Sequence, residues 1–121
     1  MGWTMRRGEV YLANLGNVKH TDIGKIRPVV IFQNDRLNRM VEEGLYDYVI
    51  VLPLSSQIKR HDYAYDLPKR ERLEKESIVL CHSVKMIAAK RLYLERGCLM
   101  RLHDDEIKEI ESKVASAMGM K

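Results

Sequence analysis

The 121-residue sequence predicts a mainly β protein with helical additions, a small closed or half-closed barrel finished by a C-terminal amphipathic helix. Two observations carry this. Short apolar runs, roughly five to seven of them, recur at near-regular spacing between turn residues, the pattern of a small barrel. Near the end, Ile107, Ile110, Val114 and Ala117 or Met118 recur at spacings of three and four, which gives a helix one apolar stripe. No repeat, low-complexity tract or linker divides the chain, so residues 1–121 read as one domain with one core.

The elements follow in order. "EVYLANL" (Glu9 to Leu15) alternates Val10, Leu12 and Asn14 against Tyr11, Ala13 and Leu15, the period of a strand. "GNVKHTDIGK" (Gly16 to Lys25) is polar with glycine on each side, a loop longer than the usual hairpin connection and therefore a candidate for function. "RPVVIFQ" is a second strand, with Pro28 at its start or on an edge because it cannot donate to a ladder. "NDRLNRMVEE" suits a short helix capped by Asn34 or Asp35. "YDYVIVLPLS" reads as a strand buried on both faces until Pro53 interrupts it. "DYAYDLP" is a weaker strand, and "ESIVLCHSV" and "KRLYLERGCLMRL" are read as two more. The last helix has Asp104 or Asp105 at its positive end and Gly119 past its C-terminus.

Composition narrows the class. Hydrophobic residues at 45% can fill a core, and charged residues at 31% do not force disorder. No run approaches the roughly 20 apolar residues of a membrane span. The start, "MGWTMRRGEVY", lacks the apolar core of a secretion signal. With only Cys81 and Cys98, that points to a reducing cytoplasm and free thiols. The net charge of +4 suits a nucleic acid or an acidic partner and is diagnostic of neither. The charge is clumped, however. "IKRHDYAYDLPKRERLEK" mixes basic residues with tyrosines, while "HDDEIKEIESK" is acidic, so the middle of the chain is the better polyanion surface.

No cofactor is expected. His20, His61, His82 and His103 show no metal-ligand spacing, and "CHS" falls far short of a zinc set. There is no phosphate loop, dinucleotide fingerprint or nucleophile elbow. Three features could carry chemistry. Arg27 precedes a proline, so its backbone is held extended; its fork matches two phosphate oxygens and could offset charge in a phosphoryl transition state. A structural ion pair at the core edge is the competing reading. Ser55 and Ser56 follow a buried strand, where a hydroxyl can donate to phosphate or relay a proton; an ordinary strand-ending turn is the plainer reading of the two serines taken alone. Asp22 sits five residues before Arg27 among Lys19, His20 and Lys25, either a proton acceptor or one charge of a solvated loop. His82 titrates near neutrality and could assist proton transfer, against the plainer reading of a strand residue satisfied by a neighbour.

The segments "RRGEVYLANLG", "GKIRPVVIFQND", "VIVLPLSSQI" and "ESIVLCHSVKMIAAKRL", with the terminal helix, resemble the MazF/PemK (Kid) toxin family in order and spacing. The resemblance runs roughly from Arg7 to Met118, and the G-x-x-R-P-V and P-L-[TS]-S steps are its specific parts. It implies an SH3-like barrel and a homodimer. It also implies a metal-independent endoribonuclease of single-stranded RNA, neutralised by an antitoxin with a flexible acidic tail. The family's catalytic arginine falls on Arg27, its hydroxyl on Ser55 where threonine is usual, and its loop acid on Asp22 where glutamate is common. RNA contacts are implied at Lys19, His20, Thr21 and Lys25, then at Ser56, Gln57, Lys59 and Arg60. Further contacts fall on His82 and Ser83, where many members carry an acid and a glutamine, and on Lys85 in place of arginine. Tyr63 or Tyr65 would stack on a base or pack in the core. Two other readings share the fold: a CcdB-like topoisomerase poison, and an RNA-binding barrel that cuts nothing.

Overall fold

The sheet is organised around one strand that changes partner halfway along. In the computed structural model, which describes residues 5–16, 26–57 and 59–121, the antiparallel elements are β1 (Glu9–Asn14), β2 (Ile26–Ile31), β3 (Tyr48–Ser55), β4 (Ala64–Leu67), β5 (Ser77–Leu80), β6 (Lys85–Ala88) and β7 (Met100–Arg101). Helices α1 (Asp35–Glu42) and α2 (Asp104–Ala117) complete it. Strand order is β4-β5-β3-β2-β1-β7, with β6 also on β3. One edge of β3 meets β2; the other meets β6 from Tyr48 to Val51 and β5 at Leu54 and Ser55. Pro53 lies between those two neighbours. The strand therefore runs through it to Ser55 instead of stopping, because no ladder bond is demanded where the partner changes.

Two-residue periodicity splits the apolar side chains between two cores. Val10, Val30, Leu52 and Leu54 enter one; Tyr11, Val29, Ile31 and Val51 enter the other. Both faces of the central strands are covered, as the double alternation of "EVYLANL" anticipates. Helix α2 closes the first core with Ile110 and Val114, both buried, and Ile107 beside them. Burying each such side chain contributes about 1.5–3 kcal/mol. Gly8 (φ +91°) allows the close approach: a Cβ there would sit 2.7 Å from Ile107 Cδ1. Asp104 and Asp105 stand in the first turn of α2 as expected; its cap is His103, whose backbone N–H donates to Glu106 Oε1 at 2.7 Å.

Helix α1 is anchored differently. Asn34 caps it, accepting from Leu37 N at 2.9 Å. Its buried residue is Asn38, whose amide donates to Gln33 O at 3.1 Å and accepts from Gln33 Nε2 at 3.2 Å. Gln33 Oε1 in turn accepts from Ile50 N at 3.2 Å. A satisfied polar network, with Val41 packed against the second core, fixes this helix to β3.

The C-terminal half departs from expectation. The strand read over residues 76–84 ends at Leu80, because Ser83 N donates back to Leu80 O at 3.1 Å and closes a turn. The next strand, β6, uses Lys85–Ala88, which fell between the two expected strands. The strand expected over residues 90–102 is two 3-10 turns, Ala89–Arg91 and Leu94–Arg96, then the short β7. The segment still follows β1, through Tyr93 N to Leu12 O (2.9 Å) and Leu99 N to Val10 O (2.7 Å), but the turns break its period. No helix among the described residues is long and apolar enough to cross a membrane.

Candidate active site

Arg27 is the second residue of β2, opposite Ala13 of β1. The β2–β3 ladder runs Ile31–Val51, Val30–Leu52, Val29–Pro53. One more step would set Pro28 opposite Leu54, but a proline nitrogen has no hydrogen to give. The Leu54 carbonyl instead accepts from Arg27 Nη1 at 3.1 Å. The proline thus ends the ladder on that edge, and its neighbour's guanidinium fills the acceptor that the ladder leaves open. Pro28 is interior to β2, not its first residue, and this ladder break makes the position tolerable.

Arg27 lines a cleft of about 800 Å³. One wall is sheet: Ile26, Arg27, Pro28, Leu54 and Ser56. The other is the connection from β4 to β5, with Glu71, Arg72, Glu74, Lys75 and Ser77, backed by Arg96. Four cations and two carboxylates line it, so the field favours an anion. The second wall is pinned from behind. Arg70 forks onto Glu106 at 2.7 and 2.9 Å and donates to Arg101 O at 2.7 Å. Burial pushes the Glu106 carboxyl up, but the Arg70 fork and the His103 N–H outweigh it and hold the group below its usual range. Arg72 N donates to Leu99 O at 2.8 Å. Glu71 adopts φ +54°, left-handed for a residue with a Cβ, and its carboxylate accepts from Arg101 N at 3.4 Å.

The other expected residues are spread out. Ser55 ends β3, half-buried; its Oγ accepts from Gln57 N at 3.2 Å and donates to Gln57 O at 3.4 Å, a serine turn. Ser56, exposed beside it, lines the cleft. Gln57, Lys59 and Arg60 lie exposed in the β3–β4 connection, where Arg60 Nε pairs with Asp66 at 3.2 Å. His82 and Ser83 belong to the β5–β6 turn, not to a strand. The His82 ring stands edge-on to His61 at 4.9 Å and 6.2 Å from Tyr63. Burial, then repulsion by His61, lowers the His82 pKa and favours the neutral ring. Lys85 begins β6 opposite Val51. Tyr63 and Tyr65 both pack against the first core. Lys19, His20, Thr21, Asp22 and Lys25 lie outside the described residues. Among those described, no three His, Cys, Asp or Glu side chains converge as a metal set.

The second wall is what sequence reading missed. Its signal was the basic middle of the chain, "LPKRERLEK", which marked a polyanion surface without placing it opposite Arg27.

A cationic cleft with an arginine mounted at a ladder break, in a small antiparallel half-barrel, defines a protein with an anion-receiving groove. Residues 6–118 match the family described as PemK-like, MazF-like toxin of type II toxin–antitoxin system. The chain belongs to that family. It is 31% identical over 119 residues to the endoribonuclease MazF of Staphylococcus saprophyticus, covering 96% of this chain and 92% of that one. Its fold matches the crystal structure of MazF from Deinococcus radiodurans with TM-score 0.74 at 19% identity, covering 98% of this chain and all of that one. A mycobacterial endoribonuclease solved with its cognate antitoxin superposes with TM-score 0.73 at 18% identity, over 97% of each chain.

Proposed function

We propose that this protein is a metal-independent, sequence-specific endoribonuclease toxin of single-stranded RNA. The observation that carries it is the Arg27 guanidinium, held by the Leu54 carbonyl in the sheet wall of a net cationic cleft. The 2′-hydroxyl attacks the adjacent phosphorus. The 2′-O–P bond forms and the P–O5′ bond breaks, leaving a 2′,3′-cyclic phosphate and a 5′-hydroxyl. One proton leaves the 2′-oxygen and one arrives at O5′. Because the substrate supplies its own nucleophile, no metal-bound water is required, and DNA is refused. Arg27 offsets charge on the non-bridging oxygens, the role in which a lost donor costs about 10²–10³ in rate. Ser55 donates to the same phosphate by exchanging its long bond to Gln57 O, with Ser56 beside it in the cleft. Asp22 is the candidate proton acceptor.

The toxin–antitoxin membership implies an antitoxin whose acidic tail competes for the cationic cleft, and translation arrest in the cytoplasm without it. A homodimer is supported by the outer face of β3 and β6, where Tyr48 is 47% and Met86 59% exposed beside Ile50.

The test is incubation of the purified protein with a long unstructured RNA in EDTA, followed by mapping of 5′ ends. Discrete fragments with 5′-hydroxyls are expected, and Arg27→Ala should reduce them by about 100-fold or more while the variant still melts cooperatively. Intact RNA with gyrase inhibition would make the protein a topoisomerase poison. Salt-sensitive RNA binding without cleavage would make it a binding barrel. Activity that disappears with the chelator would overturn the metal-free route.

A further inference from the structure

The wall facing Arg27 carries two guanidiniums of its own. Arg72 leaves the β4–β5 connection and Arg96 ends the second 3-10 turn. Neither makes an ion pair with a carboxylate among the described residues, although Glu71 and Glu74 line the same cleft. Both are nonetheless oriented. Arg72 Nη1 donates to Cys98 O at 3.2 Å, and Arg96 lies over the Tyr93 ring at 5.2 Å. Gly97 (φ +78°) makes the space, since a Cβ there would sit 3.0 Å from Arg72 Nη1. A carbonyl and a ring face hold a guanidinium without neutralising it, so most of each fork stays available for an anion.

Size agrees. A cleft of about 800 Å³ is toward the upper end of the roughly 300–1,000 Å³ of pockets that enclose a whole small ligand. That is far more than the one phosphate group Arg27 can hold.

We infer that Arg72 and Arg96 form a second phosphate subsite, which holds the RNA backbone one or more nucleotides away from the phosphate at Arg27. The inference rests on the ribonuclease reading above. The neighbouring carboxylates favour RNA over an acidic polypeptide as occupant. Glu74 makes no hydrogen bond or ion pair among the described residues and can accept from the amino group of a base, whereas an acidic tail brings only further negative charge. The subsite therefore positions the strand across the cleft and leaves the bond-breaking to the sheet wall.

The experiment measures binding separately from cleavage. The probe is a fluorescein-labelled single-stranded 12-mer of random sequence with 2′-O-methyl groups throughout, which has no free nucleophile. Kd is read by anisotropy over a range of KCl for wild type, R72A/R96A, R72K/R96K, and Arg36→Ala on α1 as a cation removed from outside the cleft. The expected result is a Kd weaker by about tenfold or more for R72A/R96A, partial recovery in the lysine pair, and no change for Arg36→Ala. The slope of log Kd against log [KCl] should also fall by about 0.7 for each phosphate the variant no longer neutralises. An R72A/R96A Kd within about twofold of the Arg36→Ala value overturns the subsite while cleavage by wild type leaves the ribonuclease reading standing. A wild type that neither binds the probe nor cuts RNA overturns both. If R72A/R96A loses binding of a polyglutamate peptide but keeps the oligonucleotide, the wall belongs to an acidic partner and the subsite falls.

Discussion

The two walls of the cleft are built by opposite means. The sheet wall takes its shape from a ladder, and Arg27 is placed by a single missing N–H at Pro28. The loop wall takes its shape from ion pairs and backbone bonds made behind it, through Arg70, Glu106, Leu99 and Cys98. A ladder places one group rigidly where bonds are made and broken. A braced loop presents several charges, and the bracing can be altered without touching them. On the function proposed above, chemistry is assigned to the first kind of wall and substrate grip to the second.

Four changes separate the walls, from the largest effect to the smallest. Arg27→Ala strikes the sheet wall at its centre and should lower the cleavage rate by about 10²–10³, or ~3–4 kcal/mol of barrier. Glu106→Gln strikes the brace. It removes a bidentate charged pair and should cost about 1.5–3 kcal/mol in chemical denaturation, with faster amide exchange at residues 70–75. Unchanged exchange there would show that the bonds to Leu99 and Cys98 hold the wall alone. Pro28→Ala restores the N–H, lets the ladder reach Leu54 and competes with Arg27 for its carbonyl. Cleavage should fall by about tenfold, roughly 1.4 kcal/mol, at nearly unchanged melting temperature. Acid acts last, through Glu106 behind the loop wall. The folded pKa of Glu106 is depressed, so its contribution is complete above the ordinary carboxylate value of about 4.3 and is lost as pH falls through the lower folded pKa. Melting curves from about pH 6 to pH 3 should show this loss in wild type and not in Glu106→Gln.

The same contrast explains what could be read from the sequence. β1, β2, β3, α1 and α2 follow their periods, and Arg27 was visible because a cation before proline at a strand entrance is chemically odd. Pro53 misled because a proline inside a strand is tolerable where the pairing partner changes, a fact of pairing and not of local pattern. Residues 85–101 misled because a four-residue strand and two 3-10 turns carry too few residues to show a period. The loop wall was hidden for a further reason. Arg72 and Arg96 are distant in the chain and meet only through bonds from Arg72 to the carbonyls of Cys98 and Leu99. The charge run containing Arg72 announced an anion surface, and nothing in it pointed to its partner.

The arrangement at Pro28 also bears on how the gene can change. Arg27 and Pro28 are adjacent codons that solve one problem jointly. Losing the proline alone offers Leu54 a backbone donor that competes with the arginine; losing the arginine alone leaves the Leu54 carbonyl facing a ring with nothing to give. For folding the arginine loss is the worse single step, so the two positions should show strong epistasis, with the double replacement better folded than the arginine loss by itself. Closing the sheet by the double replacement would then yield a stable protein of the same shape without the guanidinium proposed to act in cleavage.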